Sequence, residues 1–155
     1  LCGRLLAPFC AAVDGVDVSR VMVEQASASG SYRCAAHAKL LPFLAQSDEP
    51  VDLIVAADVF IYVGALDAVV PAAARRLAPG GVLAFSVEQA DPGHDLQLRP
   101  SLRYAYGQSA IERLAASCGL GVRALWAVAI REDQGQPVMG WYVLLQGAET
   151  QATDA

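Results

Sequence analysis

Apolar residues fall in short runs that are separated by helix-like patterns and turn residues. The run from Val51 to Gly64, VDLIVAADVFIYVG, has no polar face in its first half. Such a run predicts a strand buried on both faces. The run reaches an acid at Asp58, and open α/β sheets bind ligands outside the carboxyl ends of their strands. Asp58, Phe60 and Tyr62 are therefore the first candidates for function.

The residues before this run predict a second strand and a capped helix. DGVDVS, from Asp14 to Ser19, indicates a turn, a short strand and an N-cap, followed by a helix that ends near Gly30. Asp17 then lies at a strand-to-helix junction. Weaker patterns predict a helix interrupted by Pro8, a strand, a short helix and a polar loop, at 4–12, 32–36, 39–46 and 47–50 respectively.

The residues after the central run predict further alternation of helix and strand. The predicted elements are a helix at 66–77, a turn at Pro79–Gly81, a strand at 82–87, a long loop at 89–103, a helix at 110–118 capped by Ser109, and a hairpin of strands 122–130 and 138–145. The loop at 89–103 is the one candidate for a lid or substrate loop.

This order predicts an α/β fold, with a doubly wound, Rossmann-like and mostly parallel sheet that closes on a C-terminal antiparallel hairpin. We expect one domain over residues 1–147 and a polar tail over 148–155. A length of 155 residues with 55% hydrophobic residues is sufficient for a buried core.

Composition narrows the classes of function. A net charge of -5 without a basic cluster argues against nucleic-acid binding. The apolar runs are too short for a membrane span, and no signal-like segment stands at the start, so we expect a cytoplasmic protein with no membrane partner. The four cysteines and two histidines have no ligand spacing, which predicts that no metal is bound.

Five segments together resemble the successive motifs of class I S-adenosylmethionine-dependent methyltransferases. They are GVDVS, DLIVAADVFIYVG, LAPGGVLAFSVE, RYAYGQSAIERLAASCGL and REDQGQPVMGWYVLLQ. The likeness covers residues 1–147 and is strongest to a bacterial branch described as tetratricopeptide-repeat-containing methyltransferases. No such repeat periodicity is visible in this chain.

The resemblance implies S-adenosyl-L-methionine as the cofactor and assigns roles by motif. Asp17 matches the acid that holds the ribose hydroxyls, since a carboxylate can accept from both. Where the family often has an acid near the adenine, this chain has Ala38 and Lys39, so that contact would come from backbone or an apolar wall. The other implied cofactor residues are Val18 and Ser19 beside the adenosine, and Asp58, Val59 and Phe60 beside the methionine and methyl group.

The methyl acceptor, a small molecule or a protein, is not encoded in any motif. Tyr62, Tyr104 and Tyr106 are the candidate substrate contacts. Methyl transfer mainly requires a nucleophile held close to the donor, so a general base is optional, with His94, Glu88 and Asp58 as candidates. No hydrolase triad has a recognisable context.

The chain departs from the family at its start. The Gly-rich loop that follows the family's first strand is absent, and Leu1, Cys2 and Gly3 resemble the residues that would come after that loop. The resemblance therefore implies that this chain is a fragment of a methyltransferase, lacking that strand and loop.

Each candidate residue also has a structural interpretation. Asp17 and Asp58 are of a type that caps helices, and the aromatic residues are of a type that packs in cores. Two other functions stay open at this point: a non-catalytic methyltransferase-like interaction domain, and a NAD-binding oxidoreductase domain, which would require GxGxxG after a first strand.

Overall fold

A computed structural model describes residues 2–46 and 49–149 of the chain. The chain divides into two compact units, Leu1–Asp48 and Glu49–Ala155. The predicted loop residues Ser47 and Asp48, and the tail from residue 150 onward, lie outside the described residues.

Unit 1 is built around two short parallel strands. Its elements are α1 (Cys2–Leu6), a 3-10 helix (Ala7–Phe9), β1 (Asp14–Asp17), α2 (Arg20–Ala28), β2 (Cys34–His37) and α3 (Leu40–Ala45). β1 and β2 pair from Asp14 opposite Cys34 to Asp17 opposite His37. Pro8 stands in the 3-10 segment, because a proline ring is incompatible with a continued helix.

Local signals fix α2. The Ser19 hydroxyl accepts a hydrogen bond from Met22 N–H at 3.4 Å, and Gly30 after the helix has a φ of 67°. That left-handed conformation costs glycine nothing sterically, so the sequence signals at both ends of this helix are confirmed. The unit has a thin core, since Gly3 and Leu44 are its only buried residues among those described.

Unit 2 contains a six-stranded mixed sheet. Its elements are β3 (Val51–Ala56), a 3-10 helix (Phe60–Tyr62), α4 (Val69–Arg76), β4 (Leu77–Gln89), β5 (Leu96–Leu98), β6 (Tyr104–Tyr106), α5 (Gln108–Ser117), β7 (Gly121–Asp133) and β8 (Gln136–Gln146). β4 is central: it pairs in parallel with β3 and β6, and in antiparallel with β8. β7 pairs with β8, and β5 with β6.

The core of unit 2 lies on one face of this sheet. Alternate residues of β4 and β8 are buried there, because side chains of a strand point to opposite faces in turn. The largest are Leu83, Phe85, Val87, Val143 and Leu145, and α4 and α5 add Val69, Val70, Ala73, Ile111 and Ala115.

The prediction that β3 is buried on both faces is wrong. Leu53 and Val55 are 39% and 38% exposed, whereas Ala56 is buried. Within unit 2, β3 pairs with β4 alone among the described strands, and its Leu53 and Val55 side chains lie on the less covered face. The apolar sequence of this strand therefore led to an overestimate of its burial.

Several element boundaries differ from the sequence prediction. The loop at 89–103 contains β5, and β6 follows it as an unpredicted strand. β4 begins before the Pro79–Gly81 turn, with a register irregularity opposite Val51. α4 begins late, at Val69, and Gly107 rather than Ser109 stands at the N-cap of α5. The short strands β5 and β6 depend on pairing with distant residues, which local sequence patterns do not encode.

The C-terminal hairpin is confirmed. β7 and β8 pair from Gly121 opposite Gln146 to Asp133 opposite Gln136. The two residues between the strands, Gln134 and Gly135, have φ values of 50° and 75°. Two-residue hairpin turns with positive φ at both positions match the twist of the strands, and glycine favours them.

Candidate functional site

Asp17 lies at the carboxyl end of β1 in unit 1, as predicted. Its Oδ1 accepts the backbone N–H of Ser19 at 2.7 Å, so one oxygen stabilises the turn into α2. The described hydrogen bonds leave Oδ2 without a partner, and the residue is exposed. Asp17 therefore has the structural role expected of an aspartate at a turn, through Oδ1. Its Oδ2 remains as an acceptor for a ligand hydroxyl.

The residues after β2 stand beside this turn. His37 Nε2 lies 3.0 Å from the carbonyl oxygen of Val18, and Ala38 N–H donates to the carbonyl of Asp17 at 3.1 Å. Lys39 is exposed and precedes α3 without a side-chain cap. Val18 is 69% exposed, which leaves an apolar surface next to Asp17 in this unit.

Asp58 follows the end of β3 in unit 2. Its φ of 57° places it in the left-handed region, which aspartate tolerates better than most residues. Its N–H donates to the buried Ser86 hydroxyl on β4 at 2.9 Å. Val59, rather than Asp58, stands at the N-cap of the 3-10 helix that follows, so Asp58 does not cap that helix.

Arg131 links Asp58 to a second carboxylate. From β7, its Nη1 donates to Asp58 Oδ1 at 3.0 Å, and its Nη2 donates to Glu88 Oε1. The Glu88 side chain is 6% exposed, and that of Asp58 is 56% exposed. Arg131 Nε is buried without a partner among the described residues. One guanidinium thus stands between two carboxylates at the carboxyl end of β4.

Two of the predicted aromatic contacts are core residues. Phe60 is 1% exposed, and its ring centroid lies 5.1 Å from that of Phe85. The Tyr106 hydroxyl is buried, 2.9 Å and 2.5 Å from the carbonyl oxygens of Phe60 and Gly64. Burial raises the pKa of this hydroxyl above its ordinary value. The expectation that the Phe60 ring and Tyr106 face a ligand is corrected, because both side chains are enclosed by packing.

Tyr62 remains accessible. It is 60% exposed, and Arg103 lies against it with Nε 3.4 Å from the hydroxyl oxygen and the guanidinium carbon 6.0 Å from the ring centroid. The hydrogen bond to Tyr62 raises the pKa of Arg103. Tyr104 is half-buried, with its ring near Gly64.

A cleft of about 570 Å³ opens at the carboxyl end of β4. Glu88 and Arg131 line it, together with the segment around Asp91 and Arg99 and the tip of the β7–β8 hairpin. Arg99 Nη1 donates to both carboxylate oxygens of Asp91, at 3.0 and 3.1 Å. The Gln97 amide, and then Arg99, lower the pKa of Asp91.

The other predicted candidates lie apart from these clusters. His94 is exposed in the turn before β5, and its N–H donates to the carbonyl of Asp91. Among residues 2–46 and 49–149, no group of His, Cys, Asp and Glu could hold a metal ion. Within the same ranges, every helix is too short or too polar to cross a membrane.

Parallel strands followed by helices, with acids after β1 and β3, place the chain in the Rossmann-like α/β class. Within that class, a profile of the methyltransferase domain family matches residues 2–83, which is more than half of the chain. The chain therefore belongs to the methyltransferase domain family. This confirms the methyltransferase class predicted from the sequence, whereas the tetratricopeptide branch is not shown.

Solved structures agree on the fold. A methyltransferase from Methanosarcina mazei has a TM-score of 0.68 at 13% identity, over 89% of this chain and 82% of that one. The N-methyltransferase NodS from Bradyrhizobium japonicum, bound to S-adenosyl-L-homocysteine, has 0.70 at 20%, over 94% and 71%. The [4+2]-cyclase SpnF has 0.73 at 17%, over 95% and 70%. At these identities the likeness establishes fold alone. A search of curated protein sequences gives no significant match.

The sequence prediction missed Arg131 as a site residue. The sequence predicts that the first hairpin strand ends at residue 130, but β7 continues to Asp133, so Arg131 belongs to a strand. The Gln134–Gly135 pair is the sequence signal that could have placed Arg131 in a strand. A two-residue turn at this pair fixes the register of the hairpin and extends both strands up to the turn. The partners of Arg131 had no such signal, because Asp58 and Glu88 are 73 and 43 residues away.

Proposed function

We propose that this chain is an S-adenosylmethionine-dependent methyltransferase domain. The observation that carries the proposal is the Asp17 carboxylate at the carboxyl end of β1, inside the region that matches the family. S-adenosylmethionine would supply a methyl group that is bonded to a sulfonium sulfur. When a lone pair of the acceptor takes this methyl group, the rest of the cofactor leaves as a neutral thioether.

The residues of unit 1 fit the ribose of such a cofactor. A vicinal diol offers two hydroxyl donors, and Asp17 Oδ2 has no described partner while Oδ1 accepts one N–H. The exposed Val18 side chain and the Ser19 turn would flank the adenosine, and Ala38 and Lys39 would contribute backbone near the base. Asp17 is exposed, so its carboxylate is accessible as an acceptor for the two ribose hydroxyls.

The motif order assigns the charged end of the cofactor to residues of unit 2. The sulfonium and amino groups are cations, and Asp58 is a half-exposed carboxylate whose Oδ2 accepts no described hydrogen bond. Asp58 and Val59 would stand beside the methionine part. Phe60 would contribute through backbone, since its ring is enclosed. We keep Tyr62 and Tyr104 as the proposed contacts to the substrate that accepts the methyl group.

The finer predictions rest on the sequence. The kinship with the bacterial branch of tetratricopeptide-repeat methyltransferases is supported by the motif order, and a cytoplasmic location by the shortness of the apolar runs. Both stay predictions.

Calorimetry with S-adenosylhomocysteine tests the proposal. Asp17→Ala should weaken binding by about tenfold to a hundredfold, because hydrogen bonds to a charged group contribute about 1.5–3 kcal/mol. Glu24→Ala is the matched control, since Glu24 is an exposed acid on α2 of the same unit. NAD⁺ serves as the ligand of the alternative function.

Three results would contradict the proposal. The first is no heat with S-adenosylhomocysteine for the unmodified chain. The second is binding by Asp17→Ala that equals that of Glu24→Ala. The third is tighter binding of NAD⁺ than of S-adenosylhomocysteine, which would favour the oxidoreductase alternative.

A further inference from the structure

The cleft at the end of β4 has a charged lining that restricts which ligands fit it. Five lining residues carry charge: Glu88, Asp91, Arg99, Arg131 and Asp133. Met139 and Val138 provide an apolar wall on the hairpin side. A cleft of about 570 Å³ is within the range of small-molecule sites, about 300–1,000 Å³. Its ligand preference depends on which of these charges remain available.

The two arginines of the lining are already engaged by the protein. Arg131 uses Nη1 and Nη2 on Asp58 and Glu88, and its Nε is sealed from solvent. Arg99 uses Nη1 on Asp91 and donates Nη2 to the carbonyl of Gln89 at 2.7 Å. An anionic ligand would compete with these carboxylates for the same guanidinium groups, which weakens its binding.

The carboxylates retain free acceptors. Arg131 contacts Glu88 through Oε1 and Asp58 through Oδ1, and no described hydrogen bond uses Glu88 Oε2 or Asp58 Oδ2. Oε2 is also not among the buried unpaired atoms of the described residues, so it faces accessible space, and Glu88 lines the cleft. One guanidinium between two carboxylates leaves a net negative charge at this wall.

Burial makes this charge significant. The Glu88 side chain is 6% exposed, and a carboxylate in such a setting is costly unless hydrogen bonds and opposite charge compensate it. Arg131 is shared with Asp58, so it compensates only in part. A cationic N–H donor in the cleft would complete the compensation, whereas a carboxylate or phosphate would add repulsion.

We propose that this cleft binds the methyl acceptor, and that the acceptor presents an amine which donates to Glu88 Oε2. The inference rests on the proposed methyltransferase function and adds the class of substrate. The amine binds as an ammonium and loses one proton to water before the transfer, which leaves a neutral nitrogen with a lone pair for the methyl group. Glu88, one of the three base candidates from the sequence, then positions the ammonium through a charge-assisted hydrogen bond.

A titration of three probes of the same carbon skeleton tests this inference on the full chain. Benzylamine, benzyl alcohol and benzoate are added at neutral pH, and binding is followed by NMR on the Arg131 Nε–H signal, because Nη2 of the same guanidinium donates to Glu88. We expect benzylamine to bind at least about tenfold more tightly than benzoate, a difference of about 1.4 kcal/mol.

Variants of matched charge assign the effect to Glu88. Glu88→Gln should weaken benzylamine about tenfold and leave benzyl alcohol unchanged. Glu132→Gln, at an exposed acid next to Arg131 on β7, should leave both unchanged. If circular dichroism shows that Glu88→Gln is unfolded, Asp58→Asn takes its place, because this carboxylate is half-exposed and shares Arg131.

The inference is overturned if benzoate binds as tightly as benzylamine or more tightly. It is also overturned if Glu88→Gln leaves the affinity for benzylamine unchanged, or if no probe changes the NMR signal. The calorimetry described above separates the two proposals. Binding of S-adenosylhomocysteine without benzylamine sinks the acceptor class alone, and binding of benzylamine without S-adenosylhomocysteine sinks the methyltransferase function.

Discussion

The two units hold their candidate carboxylates in opposite ways. Asp17 in unit 1 is held by a residue two positions away, in a unit with two buried residues among those described. Asp58 in unit 2 is held by Ser86 and Arg131, which come from two other strands above a buried core. A ligand group at Asp17 therefore depends on local turn chemistry, whereas one at Asp58 depends on the packing of a sheet.

The largest expected difference between the units is in the core. Leu83→Ala should lower the free energy of unfolding by about 2–5 kcal/mol, because Leu83 is fully buried in β4 and its loss leaves a cavity. Leu5→Ala in unit 1 should cost less than about 0.5 kcal/mol, since Leu5 is 73% exposed. Chemical denaturation measures both free energies of unfolding. Equal losses in the two variants would contradict the expected difference between the units.

A pair of serines gives the next largest difference. Ser86→Ala should cost about 1–3 kcal/mol, because the N–H of Asp58 loses a buried acceptor. Ser19→Ala should cost about 1 kcal/mol or less, since the N–H of Met22 is exposed to water. Amide hydrogen exchange at Asp58 and Met22 is the measurement. The expected order is reversed if exchange accelerates more at Met22 in Ser19→Ala than at Asp58 in Ser86→Ala, each compared with the unmodified chain.

Tyr106 should make unit 2 sensitive to alkaline pH. Burial raises its pKa in the folded state, so its stabilising contribution is complete below the unfolded tyrosine pKa of about 10 and is lost as pH rises above that value. Tyr106→Phe should cost about 1 kcal/mol at neutral pH, through the lost hydrogen bond to buried carbonyls. Denaturation at neutral and alkaline pH should show this gap shrinking, and a constant gap would contradict the argument.

The smallest effect is expected at the surface of unit 2. Asp91→Asn removes the ion pair with Arg99, which is exposed and screened by salt. The lowered pKa of Asp91 means that its contribution is present above the ordinary aspartate pKa and is lost as pH falls through the folded value. Thermal melting with and without added salt tests this. A loss as large as that of Ser86→Ala would show that the segment at 91–99 is structurally essential.

The sequence by itself determined the features that act over a few residues. Ser19 and Gly30 bound α2, Gln134 and Gly135 set the hairpin, and the alternation of patterns gave the α/β class. These features are readable because a cap or turn joins residues that are adjacent in the chain. The motif order also gave the methyltransferase family, which the match over residues 2–83 confirms.

The tertiary structure alone decided which side chains face a ligand. Phe60 and Tyr106 resembled ligand contacts in sequence but are enclosed, and β6 exists only through its pairing with β4 and β5. Arg131 joins Asp58 and Glu88 across 73 and 43 residues. The register of β3, β4, β8 and β7 brings these three side chains together, and register follows from the packing of a whole sheet face rather than from any short segment.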